Sequence, residues 1–313
     1  MPDYTRLRTP FLNMSFTPDV PSNALGANEY NSGLNVEADV RGIKKIFGEE
    51  EILFAVPGNS IFMEGGFRNE TNFVYIVATR NSSNQGKWYM VTTSNVSNIT
   101  PGIGSNPSVY LSGYVDGLNI TTSWVGNVFF INDTLNNPMY FLPTATEIAY
   151  FTNTAWNYDV GVTQTRAGFV RNFCSPNVGN ILVAGNLTKT SAGIDTNYPT
   201  TIRWSQSFGN QGVPTTWTPT LNNVANEQEV PVRGPVIDGF PLAGNFYVFS
   251  YWDCVQFSPI AYTSTSAPVF GILLVTQGRG LLNENCFAIV DTMAYGVDAR
   301  DIWSFNGGTF KPI

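Results

Sequence analysis

The stretch YPTTIRWSQSFGNQGVPTTWTP, Tyr198–Pro219, decides how the chain is read. Its first half reads as a strand carrying Arg203 and Trp204, and its second as a Gly/Asn/Pro loop anchored by Trp217. Beyond it, Val236-Ile237-Asp238-Gly239 reads as an acidic turn that leads to an aromatic strand over Asn245–Ser250. Tryptophan-anchored loops on recurring strands point to the blades of a β-propeller.

The pattern extends outward from there. Helical periodicity is nearly absent; the apolar runs are short, rich in Val, Ile, Phe, Tyr and Trp, and bounded by Gly, Pro, Asn and Asp. Hairpins are expected for Phe73–Thr79 with Trp88–Thr93, Val128–Ile131 with Met139–Leu142, and Phe246–Tyr251 with Val255–Pro259. Ile181–Ala184 is expected to pair with Thr201–Trp204 across a loop over Gly185–Pro199. A last hairpin joins Ile302–Phe305 to Thr309–Ile313 through Asn306-Gly307-Gly308, read as an Asn-Gly turn of the favoured hairpin type. Taking Phe73, Val128, Ile181, Phe246 and Ile302 as the first strands of successive units gives steps of 55, 53, 65 and 56 residues, a propeller-blade length. A sandwich or jelly roll is the competing architecture.

The expected fold is therefore all-β, a β-propeller-like core of repeated antiparallel hairpin blades over residues 34–313. Residues 1–33, rich in Pro and Asn, read as an extended N-terminal arm that contacts another subunit. Leu34–Val40 and Ile43–Phe47 form a further hairpin around Arg41-Gly42, and Glu49-Glu50-Glu51 reads as a solvated turn.

Composition narrows the function. The 313 residues are 43% hydrophobic and 14% aromatic, ample for a buried core, but only 12% charged, about half the usual share. A net charge of −7 and five scattered lysines (Lys44, Lys45, Lys87, Lys189, Lys311) give no basic stripe for gripping nucleic acid. No apolar run reaches the length of a membrane span, and the opening MPDYTRLRTP lacks a secretory core. Cys174, Cys254 and Cys286 fit neither a zinc site nor a redox motif and read as buried free thiols, with one disulfide and a leftover thiol as the alternative. Triplets such as Asn98-Ile99-Thr100 match the glycosylation pattern, as expected by chance in so Asn- and Thr-rich a chain.

The absence of histidine removes Ser-His-Asp triads, histidine-ligated zinc and imidazole acid–base chemistry. Carboxylates remain: Asp238, Asp253, Asp291, Asp298 and Asp301 are candidates for glycoside hydrolysis, yet each sits in a turn or beside a tight Gly, where aspartate caps backbone groups. Sialidases clamp a carboxylate with three arginines and carry aspartate-box turns. Here Ser205-Gln206-Ser207-Phe208-Gly209 places Ser207 where that box needs aspartate. Gly278-Arg279-Gly280 reads as a turn, and no phosphate-cradling loop is present. Trp88, Trp124, Trp156, Tyr251, Trp252 and Trp303 are read as blade packing in preference to sugar platforms. No catalytic, cofactor or metal residue is expected.

A series of landmarks then resembles one family. In order these are Arg171-Asn172-Phe173, Ile181–Lys189, Tyr198-Pro199 through Arg203-Trp204-Ser205, Val213-Pro214, Trp217, Gly234–Gly239 with Asp238, and Phe246-Tyr247-Val248. Pro268-Val269-Phe270, Gly280-Leu281-Leu282, Asn285-Cys286 and Asp301-Ile302-Trp303-Ser304-Phe305-Asn306-Gly307 close the series. This half of the chain resembles the tail nozzle proteins of short-tailed bacteriophages, also called tail tubular protein B. Pro21–Ala24, Gly33–Val36 and Arg41-Gly42 give a looser echo.

The resemblance implies a structural virion protein, assembled in the host bacterial cytoplasm. Its partners would be itself in a homohexameric ring, the tail adaptor, and tail fibres or other receptor-binding proteins. Double-stranded DNA would pass through the lumen without sequence-specific binding, helped by the acidic, lysine-poor balance. Family members are longer, which implies further blade strands beyond residue 313. A propeller lectin or receptor-binding protein recognising host glycans is the alternative, and a sialidase-like hydrolase using Asp238 or Asp301 is the third expectation.

Overall fold

The computed structural model describes residues 55–151, 155–260 and 269–313, with the backbone of four short strands nearer the start. The chain divides into two compact units, Met1–Ile52 and Leu53–Ile313. In the first, Ser15–Phe16 pairs in parallel with Glu29–Tyr30, and Val36–Asp39 pairs with Gly42–Lys45 in a hairpin. The rest of the expected N-terminal arm and Glu49-Glu50-Glu51 lie outside the described residues.

The second unit is built from five consecutive antiparallel sheets, numbered I to V here, in which each strand pairs with the next along the chain. Sheet I comprises Asn59–Phe67, Phe73–Arg80, Gln85–Val91 and Val96–Asn98, with Leu111–Ser112 added beside the third strand. Sheet II comprises Thr121–Val125, Val128–Asn132, Met139–Phe141 and Ala149–Tyr150. Sheet III is the longest: Val162–Ser175, Gly179–Ser191, Ile194–Trp204 and Asn226–Glu229. Sheet IV comprises Val236–Leu242, Asn245–Ser250, Asp253–Pro259 and Phe270–Gln277. Sheet V comprises Phe287–Val290, Met293–Val297, Ile302–Phe305 and Phe310–Pro312. The described residues are all-β, and no helix among them is long and apolar enough to cross a membrane.

The sheets stack face to face in chain order. Val74, Ile76 and Trp88 of sheet I meet Phe129, Ile131 and Phe141 of sheet II. On the other face of sheet II, Val128 and Phe130 meet Val170, Leu182 and Ala184 of sheet III. Phe173, Ile181, Val183 and Trp204 then pack on Phe246, Val248 and Phe257 of sheet IV. Tyr247 and Phe249, on the opposite face of that strand, meet Trp303 and Phe305 of sheet V. Burial of both faces explains why Val128–Ile131, Ile181–Ala184 and Phe246–Phe249 are apolar at every position, since alternation is needed only where one face meets water.

Four sequence expectations change. Phe73, Val128, Ile181 and Phe246 lie at or near the start of the second strand of their sheets, and Ile302 opens a third; the first strands begin at Asn59, Thr121, Val162, Val236 and Phe287. First strands carry more polar residues, so the apolar maxima fall one strand late. Val236–Gly239 is no turn but the start of sheet IV. Gly185–Pro199 is no loop: the second and third strands of sheet III run on to a two-residue turn at Ala192-Gly193. Pro199 fits inside that strand because it falls in a register break between the pairs Gly185–Ile202 and Leu187–Tyr198, where no ladder N–H is required. The Asn306 hairpin has four loop residues rather than two, and the Asn306 side chain accepts from the amides of Gly308 and Thr309.

Candidate functional site

The first strands of sheets II, III and IV lie side by side, and polar residues from all five sheets gather along them. Arg171, in the first strand of sheet III, sits at the centre. Its Nε donates to Asp238 Oδ1 at 3.0 Å and its Nη2 to Asp238 Oδ2 at 2.6 Å, a two-pronged pair with the first strand of sheet IV. Its Nη1 donates to the Thr122 carbonyl of sheet II at 3.1 Å, and Nη2 also reaches Asn285 Oδ1 at 2.6 Å, just ahead of sheet V. Sheet I joins through Glu64, which accepts from the Thr122 hydroxyl. The guanidinium also lies 5.2 Å from the ring centre of Phe287.

Asn285 completes the cluster. Its amide donates to Asp238 Oδ2 at 3.0 Å, while its side-chain nitrogen donates to the Ile120 carbonyl at 2.9 Å, tying the start of sheet V to the start of sheet II. Asn285 holds a left-handed φ of 61°, which asparagine tolerates better than most residues. Gly239 is needed beside Asp238: a Cβ there would meet a Phe246 ring carbon at 2.7 Å and the Tyr247 carbonyl at 2.8 Å.

Asp238 is fully buried, with a charge that Arg171 neutralises. Arg171 supplies two of its hydrogen bonds; the Gly239 amide, at 2.8 Å, and the Asn285 amide supply the other two. A carboxylate has about four acceptor positions, so Asp238 keeps none for a substrate. Its chemistry is that of a clasp. Burial pushes the Glu64 carboxyl above its ordinary range, against the pull of the Thr122 hydroxyl and Arg171. Glu284 is raised for the same first reason, with Asp238 adding to it.

The other candidate carboxylates are engaged too. Asp253 holds Arg233 through both side chain and backbone, and that partner keeps its carboxyl below the usual range. Asp298 and Asp301 share Arg279, the one place where two of the candidates come together. Asp291 occupies a hairpin turn at φ 54°.

Arg203 is fully buried beneath Asp159 and Glu227, which Lys189 also bridges, and it stacks over Trp156 and Tyr158. Trp204 donates from its ring to the Val224 carbonyl at 2.6 Å. Trp217 is buried against Trp156 and Phe151. Ser205, at the head of the box-like turn, is buried and extends the sheet III ladder through Leu182.

Trp303 donates to the Gly280 carbonyl at 3.1 Å, and the Gly307 carbonyl accepts from the Tyr247 hydroxyl at 2.8 Å. Trp88, Trp156 and Trp303 are buried; Trp252 is exposed. All three cysteines are free thiols, but only Cys254 is buried as expected; Cys286 is half-buried, and Cys174 is exposed.

Of the sequence landmarks, the structure brings Asp238, Gly239 and Asn285 together around Arg171. Arg203, Trp204 and Trp217 sit elsewhere in sheet III and its loop; Asp301, Trp303 and Gly307 belong to sheet V. Glu64, Thr122 and Glu284 went unnoticed in the sequence. A charge inside the strand Asn59–Phe67, between Met63 and Gly65, is the signal that points to Glu64, because a lone strand charge needs a partner. Among the described residues, no three Cys, Asp or Glu gather to hold a metal. No family model matches the chain, and no curated protein matches its sequence.

Proposed function

We propose that the protein is a non-enzymatic structural subunit of the tail nozzle of a short-tailed phage, a wall element of the ring through which DNA leaves. The observation that carries the reading is the face-to-face series of five four-strand meanders held at one clasp by first strands and, for sheet V, by Asn285 just ahead of it. Blades of a propeller set about an axis have this order, and such stacking gives a stiff wall with protected strand edges.

The ordered landmarks of the sequence add to it, since Asp238 and Asn285 belong to the clasp itself. Charge placement agrees with a passive role. Arg80, Arg166, Arg171, Arg203, Arg233, Arg279 and Arg300 each face a carboxylate of the same chain, and Arg68 donates to the carbonyls of Pro143 and Ala145. These cations are committed to the fold and offer little to phosphates, so DNA would slide past an acidic surface.

In this reading the protein closes into a six-membered ring against the adaptor and carries fibres on its outer side. Electron microscopy of the purified protein and of the virion tests it. Rings of six copies, located between adaptor and tail tip, are the expected result. A stable monomer missing from the tail tube refutes it.

A further inference from the structure

A cavity of about 290 Å³ opens where sheet III passes sheet II and the segment ahead of sheet V. Asn119, Thr134, Arg166, Asn186, Asn197 and Glu284 supply its polar wall. No aromatic or large aliphatic side chain lines it. Its charges are one cation and one anion, and the cation is already shared: Arg166 pairs with Asp195, two strands away on the third strand of sheet III. The cavity adjoins the clasp through Glu284, which precedes Asn285 in the chain and whose carboxyl feels Asp238 and Arg171.

Two backbone features coincide in the wall. The ladder of sheet III breaks between Gly185 and Leu187, and Asn186 stands in the break at a left-handed φ of 57°. Gly168 makes room for it: a Cβ at Gly168 would come within 2.9 Å of the Asn186 Cβ and 3.0 Å of its amide nitrogen. The Thr188 hydroxyl donates to Asn197 Oδ1 at 3.0 Å, which orients that amide and leaves its N–H groups for another acceptor. Beside the cavity, Arg166 Nε and Glu284 Oε2 are buried with no hydrogen-bond partner. Buried polar atoms ordinarily find partners, so an orphan donor and an orphan acceptor around one cavity mark unfilled bonding capacity.

We propose that this cavity binds a single neutral sugar ring, either free or at the end of a glycan. A hydroxyl both donates and accepts, which matches a wall of amides, hydroxyls, one guanidinium and one carboxylate. The volume holds roughly nine or ten waters at about 30 Å³ each, room for one pyranose ring with some water retained. The missing apolar wall disfavours lipids and nucleobases, and the balanced charge disfavours phosphates. The inference does not depend on the tube reading: ring formation is seen by microscopy, sugar binding by solution measurement.

The test applies saturation-transfer NMR with a panel of neutral hexoses to the whole protein, and a glycan array to separate free sugars from glycan termini. Asn197→Ala and Asn186→Gly remove amides, the second while keeping a residue that accepts the left-handed φ. Expected are saturation transfer or array binding by the unaltered protein and at least a tenfold loss in both variants at unchanged melting temperature. Where a variant does not fold, side-chain amide shifts of Asn119, Asn186 and Asn197 in the unaltered protein give the same answer on titration with the best sugar. No binding on either platform overturns the proposal. So does unchanged binding in folded variants, shift changes confined to other residues, or a preference for phosphorylated or sialylated sugars.

Discussion

Sheets IV and V are built alike, four short strands in a meander, yet they are opposite in character. In sheet IV the strand Asn245–Ser250 is buried at every position but the first. In sheet V, Met293–Val297 and Ile302–Phe305 alternate, with Ala294, Trp303 and Phe305 inside and Tyr295 and Ile302 facing solvent. Among the described residues, sheet IV packs between two neighbours and sheet V against one. The difference teaches that the apolar period of a strand here counts the sheets beside it. Two ion pairs differ in the same sense. Asp238 of sheet IV is sealed with Arg171, whereas Asp301, at the edge of sheet V, is 38% exposed beside Arg279.

The largest test of this contrast is Asp238→Ala against Asp301→Ala. Stranding the Arg171 charge inside the clasp is expected to cost about 3–5 kcal/mol. Loss of the exposed carboxylate on sheet V is expected to cost about 1 kcal/mol or less. Urea unfolding of the two variants gives the comparison directly, and equal losses would break it.

Packing comes next. Phe249→Ala removes a fully buried ring stacked on Trp303 and is expected to cost about 3–5 kcal/mol. Ile302→Thr, on the open face of sheet V, is expected to stay within about 0.5 kcal/mol. A large loss from Ile302→Thr, seen by thermal unfolding, would mean that the open face is covered.

Acid separates the carboxylates by sign. Hydrogen bonds from Arg233 depress Asp253; at Asp298, burial pushes upward but the Arg300 amide, Arg279 and the Asp301 amide outweigh it. Groups depressed in the fold stabilise it above their unfolded value, and that gain disappears as pH falls through the folded value. Stability is therefore expected to drop below about pH 4, with a shallower acid limb in Asp253→Asn. Glu64 behaves oppositely: raised above its ordinary 4.5, it weakens the fold as pH climbs from there through its folded value. Glu64→Gln is expected to flatten that upper limb in a series of melts from pH 4 to 8.

The smallest effect lies in the turn between the first two strands of sheet IV. Ala243 and Gly244 both have positive φ, 49° and 77°, the geometry for which Asn-Gly is preferred. Ala243→Asn is expected to stabilise by about 0.5–1 kcal/mol, a shift of a few degrees in melting temperature.

These contrasts also explain what could be read without a structure. The hairpins Phe73–Thr79/Trp88–Thr93 and Phe246–Tyr251/Val255–Pro259 were legible because both of their strands are apolar and their turns polar. The Ala192-Gly193 turn was hidden because alanine at a left-handed position gives no turn signal, and Pro199 disguised the strand that follows. First strands escaped because they carry the clasp: Glu64, Arg171 and Asp238 make those segments look like turns or surface. The clasp itself joins residues from five sheets, and no local pattern announces a partnership at such distances along the chain.

The Asn285 bond to the Ile120 carbonyl spans 165 residues, while the sheets, apart from the Leu111–Ser112 strand of sheet I, pair strands that are neighbours in the chain. Closing a loop of that length costs on the order of 4–5 kcal/mol of chain entropy, against far less for a hairpin turn. Order of formation follows. A chain emerging from the ribosome can complete each meander as it appears, and the bond between the starts of sheets II and V must come last. Its lateness makes Asn285 a latch on folding kinetics: a lesion there should leave the refolding rate alone and hasten unfolding.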